Sequence, residues 1–331
     1  MTASGEAVFE VANLSIEVAA RASRRTVVDD VSLRVRSGET VGIVGESGAG
    51  KSLTALGAVA LLPEGVRRTA GSARLLGRDL LGSTRRELRA IRGREIGMIF
   101  QDPLTSLHPS IRIGDQLVEG LRVHSPRVGR AAARDRVIEL LERVHVAHAG
   151  ERVDDFPHQW SGGMQQRAMI AMALMHDPAL IIADEPTTAL DVTIQAQILE
   201  LLSEARRTTN AAAILISHDL GVIAEVADRV IVMYDGRIVE EAPVRAFFAA
   251  PRHPYSHGLL ASVPTLRDRP GELSVIPGQP PDHTRPAPGC SFEPRCGVGH
   301  GDPTCLRAEP PLLGPRGHRV ACHYPVDGKS P

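Results

Sequence analysis

Apolar and polar positions fall into short blocks of two kinds along this chain. One kind is continuous: Thr40-Val41-Gly42-Ile43-Val44, Ala179-Leu180-Ile181-Ile182-Ala183 and Ala213-Ile214-Leu215-Ile216 are almost wholly apolar, as strands buried on both faces are. The other kind alternates. Phe9-Glu10-Val11, Leu14-Ser15-Ile16-Glu17-Val18 and Val31-Ser32-Leu33-Arg34-Val35 predict strands with one wet face. Ser72 to Leu76 and Ile96 to Phe100 read as further strands around a basic helix, Arg85 to Arg92. Between Ile111 and Val146 the spacing changes to three and four, as at Val137, Leu140, Leu141 and Val144, and predicts helix. Ile194, Ile198 and Leu201 mark another helix, and Val230 to Tyr234 with Arg237 to Glu240 flank the hairpin signal Asp235-Gly236. Strands alternating with helices predict an α/β fold with a mixed, mostly parallel sheet. The helical stretch from about 102 to 165 reads as an insert, and beyond Pro251 proline and glycine thicken into a loop-rich appendage.

Length and charge narrow this picture. A chain of 331 residues has room for about two domains. No apolar run approaches the 18 or so residues of a spanning helix, and Met1 to Glu10 has neither a basic nor an apolar signal region, so a cytoplasmic protein is expected. The net charge of -1 gives no electrostatic footprint for nucleic acid. Positive charge is nearly all arginine, with lysine only at Lys51 and Lys329. A single lysine in the folded core is then a pointed signal.

Lys51 lies in Gly45-Glu46-Ser47-Gly48-Ala49-Gly50-Lys51-Ser52, which matches G-x-x-x-x-G-K-[ST]. The strand Thr40 to Val44 precedes it, and Leu53 to Leu62, stopped by Pro63, is expected to be the helix that follows. Strand, glycine loop and helix are the context in which backbone N–H groups curl around phosphates and the helix N-terminus adds positive potential. Lys51 would reach the β- and γ-phosphates and the Ser52 hydroxyl would ligate Mg²⁺.

Asp184 and Glu185 end a buried hydrophobic strand, one placed to hold Mg²⁺ and the other to orient or deprotonate the attacking water. Ser161-Gly162-Gly163 opens a helix from Met164 to Met175 and makes a second candidate anion site. Gln101 and His218 are polar residues at the tips of strands.

Phosphate loop, Gln101, Ser161-Gly162-Gly163, Asp184-Glu185, Ala189-Leu190-Asp191 and His218 follow the motif order of the ATP-binding-cassette family, which the first 250 residues resemble. The resemblance implies a P-loop NTPase cassette working as a head-to-tail dimer. ATP would lie between one chain's phosphate loop and the partner's Ser161-Gly162-Gly163. Lys51, Ser52, Gln101, Asp184, Glu185 and His218 would act on one nucleotide, with Ser52, Gln101 and Asp184 around Mg²⁺, and Asp191 would couple the two sites. The implied layout is a nucleotide-binding core over 1–101 and 166–250, a helical subdomain with the signature motif over 102–165, and a C-terminal extension over 251–331. Within the subdomain, Asp102-Pro103-Leu104-Thr105-Ser106-Leu107 would receive a membrane subunit's coupling helix.

Closer matches narrow the resemblance. Phe100 to Leu107, Phe156-Pro157-His158-Gln159-Trp160-Ser161-Gly162-Gly163-Met164, Pro186 to Thr193, His253-Pro254-Tyr255 and Ile276-Pro277-Gly278-Gln279-Pro280-Pro281 look like the ATPase subunits of oligopeptide and dipeptide importers. Such a subunit would sit on the cytoplasmic face of the inner membrane with a second cassette, forming a heterodimer, two membrane permease subunits and an extracytoplasmic peptide-binding protein. Nickel and glutathione importers share these motifs. A soluble cassette acting on nucleic acid or ribosomes fits less well, for want of a basic stripe, and a P-loop kinase leaves the Ser-Gly-Gly helix and His218 unexplained.

Two features stand apart. Cassettes usually stack adenine on an aromatic ring before the second strand, but Ala19 to Asp30 contains none, so the guanidinium of Arg21, Arg24 or Arg25 is the candidate substitute. The second is the spacing Cys290-x5-Cys296-x8-Cys305-x16-Cys322, which gathers every cysteine of the chain into the tail. A reducing cytoplasm argues against disulfides, and four thiolates suit tetrahedral Zn²⁺ or a [4Fe-4S] cluster. Tight Cys-x2-Cys pairs are absent, and the tail resembles cluster-bearing members of the peptide-importer group. Iron and sulfur are therefore expected, with Zn²⁺ the alternative; His300, His318 and His323 could substitute as ligands, but four cysteines leave no vacancy for them.

Overall fold

The computed structural model describes residues 6–19, 24–101, 106–187, 191–263, 275–281, 288–315 and 317–326. In chain order the strands are β1 (Ala7–Ala19), β2 (Arg24–Arg36), β3 (Thr40–Val44), β4 (Val66–Leu75), β5 (Arg78–Asp79), β6 (Ile96–Ile99), β7 (Leu180–Asp184), β8 (Ala212–Ile216), β9 (Arg229–Tyr234), β10 (Arg237–Pro243) and β11 (Arg319–Val320). The helices are α1 (Lys51–Ala58), α2 (Arg85–Ile91), α3 (Ile113–His124), α4 (Arg130–Arg143), α5 (Ala149–Arg152), α6 (Gly162–Leu174), α7 (Val192–Thr209), α8 (Leu220–Val226), α9 (Val244–Ala249), α10 (Pro254–Ala261) and α11 (Pro303–Arg307). Two compact units divide the chain: Met1–Phe9, Val35–Glu39 and Gly82–Ile214 form the first, and Glu10–Arg34, Thr40–Leu81 and Leu215–Pro331 the second.

In the first unit β6 and β7 run parallel, with Ile99 opposite Ala183, and β7 neighbours β8. Leu180 to Asp184 are all buried, as the unbroken apolar run requires. Helix α6 packs tightly behind this sheet. A Cβ on Gly97 would stand 2.2 Å from the Ala173 carbonyl oxygen, so only glycine allows the approach. The predicted helical stretch is two helices: α3 and α4 each turn an apolar stripe inward, Ile113, Leu117 and Leu121 on one, Val137, Leu140 and Leu141 on the other.

The second unit holds β3 parallel to β9, and β9 antiparallel to β10 through the turn at Asp235-Gly236, both at positive φ. Strand β11, from the C-terminal tail, pairs antiparallel with β10. The sheets are thus mixed, as expected. A further sheet, in the order β2-β1-β4-β5, is antiparallel at β4–β5. Strands β1 and β2 are longer than the alternating blocks alone imply, because Asn13 at φ 51° carries β1 across its polar gap, its amide N–H and side chain bonding Ser32 and Asp30 of β2. Helix α1 also differs from expectation. It begins at Lys51, directly after Gly50, and ends at Ala58, because Ala60 turns left-handed at φ 58° well before Pro63.

Candidate functional site

The second unit carries the phosphate loop between the fully buried β3 and α1. Two of its glycines, Gly45 and Gly50, are demanded by space and torsion together. Gly45 has φ +148° and a Cβ there would lie 2.2 Å from the Met233 carbonyl; Gly50, at φ +92°, would meet the Val27 carbonyl at 2.6 Å. Lys51 is only 7% exposed, and its ammonium donates to the carbonyls of Gly45 at 2.8 Å and Glu46 at 2.9 Å. The lysine side chain thus folds back onto the carbonyls of its own loop. Ala49 Cβ is buried against Gly45, and Ser52 follows on the first turn of α1. His218 is exposed just past β8, after Ser217, whose N–H bonds the Ile43 carbonyl of β3 at 3.2 Å.

Glu46 is held from outside the loop. Its N–H donates to the Tyr255 hydroxyl at 2.8 Å, and its carboxylate takes both guanidinium ends of Arg295, at 2.6 and 2.9 Å. Sequence reasoning gave neither Tyr255 nor Arg295 a role. Their partner lies more than 200 positions away.

The first unit gathers the acidic pair. Asp184 ends β7 at 6% exposure, and Glu185 turns out of the strand in the left-handed region at φ 48°. Gln101, two residues beyond the Ile99–Ala183 register pair like Glu185 itself, donates through Nε2 to Glu185 Oε2 at 3.1 Å. Gln166, on α6, donates to the Pro186 carbonyl at 2.7 Å and fixes the turn that aims Glu185. That buried glutamine is a second contributor that periodicity concealed. Ser161 caps α6, accepting the Met164 N–H, with Gly162 exposed and Gly163 against Ile194. Asp191 caps α7 through the Ile194 N–H at 2.9 Å. Residues 102–105 of the expected coupling segment, 188–190, and Arg21 lie outside the described residues. Arg24 and Arg25 begin β2, the first exposed and the second half-buried.

All four cysteines are free thiols, and all four line one small cavity in the second unit with His253 and Phe292. Burial pushes the Cys290 thiol up to about 12 and Cys322 to about 11, and raises Cys305 too, the neighbouring cysteines adding to each shift. Gly299 donates its N–H to Cys296 Sγ at 3.2 Å. Among the described residues, no three His, Cys, Asp or Glu side chains stand at metal-binding geometry. The iron–sulfur expectation is therefore not supported: the four cysteines line one cavity without forming a metal-binding group among the described residues. Burial also holds His253 neutral, its ring down at about 3, with Nδ1 accepting the Tyr255 N–H.

A strand, a glycine loop and a buried lysine in one unit, with a strand-end acidic pair and a capped Ser-Gly-Gly helix in the other, define a P-loop ATPase of the ATP-binding-cassette class. Comparison agrees at every level. Residues 28–188 match the ABC transporter family and residues 239–302 the oligopeptide/dipeptide transporter C-terminal region. A putative peptide import ATP-binding protein of Brucella abortus is 47% identical over 321 residues, 96% of each chain. The oligopeptide transport ATP-binding protein OppD of Salmonella typhimurium is 47% identical over 319 residues, covering 96% of this chain and 94% of that one. A dimeric ATP-binding cassette solved in a post-hydrolysis state with ADP and Pi superposes at a TM-score of 0.65, with 27% identity over 72% of this chain and 99% of that one. The chain belongs to the ABC transporter family of ATPases, in its oligopeptide/dipeptide transporter group, and hydrolyses ATP.

Proposed function

We propose that this chain is the motor subunit that couples ATP hydrolysis to import of peptides across the cytoplasmic membrane. The observation that carries the reading is the oligopeptide/dipeptide C-terminal region at 239–302, attached to an intact phosphate loop. Lys51 withdraws from the loop carbonyls to meet the β- and γ-phosphates. Glu185 polarises the attacking water, and its bond to Gln101 links that base to the segment that leads into the helical subdomain. His218 orients the γ-phosphate side. Ser52, Gln101 and Asp184 would each offer an oxygen, the donor type that suits Mg²⁺, which supplies charge neutralisation at the phosphates when bound. Ser161, Gly162 and Gly163 present a capped helix N-terminus to the nucleotide of a second cassette, and Asp191 couples the paired sites.

The domain layout follows the same reading: core over 1–101 and 166–250, helical subdomain over 102–165, C-terminal extension over 251–331. The partners are a second, non-identical cassette, two permeases and an extracytoplasmic peptide-binding protein. No helix among the described residues is long and apolar enough to cross a membrane, which fits a peripheral subunit held at the inner face by those permeases. Cys290, Cys296, Cys305 and Cys322 would hold a [4Fe-4S] cluster or Zn²⁺; that all four line one pocket supports this reading. Such a group would staple the loops of the extension.

The test replaces the chromosomal copy with Glu185→Gln and follows uptake of a labelled tripeptide together with ATPase rate. Uptake should vanish while ATP stays bound, with turnover reduced by about 10² or more. Undiminished uptake and turnover would refute the assignment. Retained ATPase dependence with no peptide uptake in the parent strain would favour nickel or glutathione as cargo.

A further inference from the structure

We propose that Arg295 and Tyr255 are positioning residues for ATP binding, bracing the phosphate loop from behind through Glu46. The inference rests on the assignment of residues 45–52 as the nucleotide loop and on no metal.

Glu46 offers three polar groups, and each is committed. Its N–H goes to the Tyr255 hydroxyl at 2.8 Å, its carbonyl takes Lys51 Nζ at 2.9 Å, and its carboxylate takes the two-pronged grip of Arg295. An amide, a carbonyl and a side chain fixed at once leave the peptide planes on either side of Glu46 no freedom to rotate, and those planes set where the next N–H groups of the loop point. Gly48 and Gly50, both at positive φ, carry little steric restraint of their own. A glycine-rich loop therefore needs its shape imposed from outside.

The brace is built to be rigid. The Arg295 side chain is only 5% exposed; its Nε donates to the Pro277 carbonyl at 2.9 Å and its guanidinium lies 5.8 Å from the Tyr234 ring centroid. Tyr234, Tyr255 and Phe292 pack against one another with centroids 4.6 to 5.4 Å apart, locking the Tyr255 hydroxyl in place. A surface ion pair adds little, but a bidentate fork from a buried guanidinium to a half-buried carboxylate fixes geometry as well as charge. The consequence is that the extension, 249 positions downstream, shapes the phosphate site. Arg295 is also the residue before Cys296, so whatever state the cysteine pocket takes is one peptide bond from the brace.

The full-length chain is titrated with a fluorescent ATP analogue and assayed for kcat and KM, comparing Arg295→Gln, Arg295→Lys, Tyr255→Phe and the swap Glu46→Arg with Arg295→Glu. Arg295→Gln should raise KM and Kd roughly tenfold, a loss of about 1.4 kcal/mol, with kcat changed less than about threefold. Arg295→Lys, keeping charge without the fork, should fall between, and the swap should recover part of the affinity. A folded Arg295→Gln protein with unchanged Kd overturns the proposal, as does a loss confined to kcat. If that variant does not fold, Tyr255→Phe, which removes one hydroxyl, decides: weaker binding supports the brace and unchanged binding refutes it. Lys51→Ala separates the two readings. If it too leaves nucleotide binding intact, the loop assignment has failed, not the brace.

Discussion

Glu240 is the pin that ties the C-terminal tail to the second unit, and its replacement gives the sharpest test of how that unit is held. The carboxylate lies on β10 at 0% exposure and receives three donors: the N–H of Arg252 and of His253, each at 2.8 Å, and His318 Nε2 at 2.7 Å. Glu240→Gln keeps the volume but turns one acceptor into an NH₂ group. At least one of the three donors then faces a donor, a cost of about 1 to 3 kcal/mol, and the remaining bonds lose their charge assistance. A total near 3 kcal/mol follows. Glu240→Ala strands the two backbone N–H groups outright, at about 2 to 6 kcal/mol, and leaves a cavity besides. By the usual entropy of unfolding for a unit of this size, 3 kcal/mol lowers the melting temperature by about 6 to 12 °C. Scanning calorimetry at fixed pH reads this directly, with Glu10→Gln as control, since its partner Arg34 is 77% exposed and the pair should be worth under about 1 kcal/mol. If Glu240→Gln melts within 2 °C or so of the parent, the three bonds do not bear on stability and the reasoning fails.

Two more outcomes are expected in the first unit. His124 and His176 meet edge to face at 5.2 Å, and burial lowers both their pKa values, with Arg94 opposing protonation further. A folded-state pKa below the unfolded value means the unfolded chain binds more protons, so this stability is present above about pH 6.5 and is lost as pH falls beneath it. Melting curves from pH 7.5 to 5.5 should show the loss, and His176→Gln should flatten it; parallel curves would exclude these rings as the cause. Gly97→Ala should destabilise by about 2 kcal/mol or more, because the added methyl collides with the Ala173 carbonyl of α6 and that backbone cannot yield. A neutral Gly97→Ala in urea unfolding would mean that β6 and α6 move apart freely.

Local chemistry was enough to reveal the strands and the phosphate loop. Continuous apolar runs at 40–44 and 180–183 have one stable use, burial on both faces, and Gly45 to Ser52 combines torsional freedom, a helix start and a cation within eight residues. Strand-end chemistry at Asp184-Glu185 was legible for the same reason. The sequence could not show that Gln101 and Glu185 touch, because 84 positions separate them and only the parallel register of β6 and β7 equates their heights. Nor could it show that Gln166 holds the turn after Glu185 or that α1 stops at Ala58, because the left-handed Ala60 ends the helix earlier than Pro63 would. The cysteines were visibly crowded; that all four face one cavity is a fact of tertiary structure. Most hidden of all was the grip of Arg295 and Tyr255 on Glu46. Periodicity reports which face of an element is buried, whereas a bond spanning 249 residues exists only once the chain has closed upon itself.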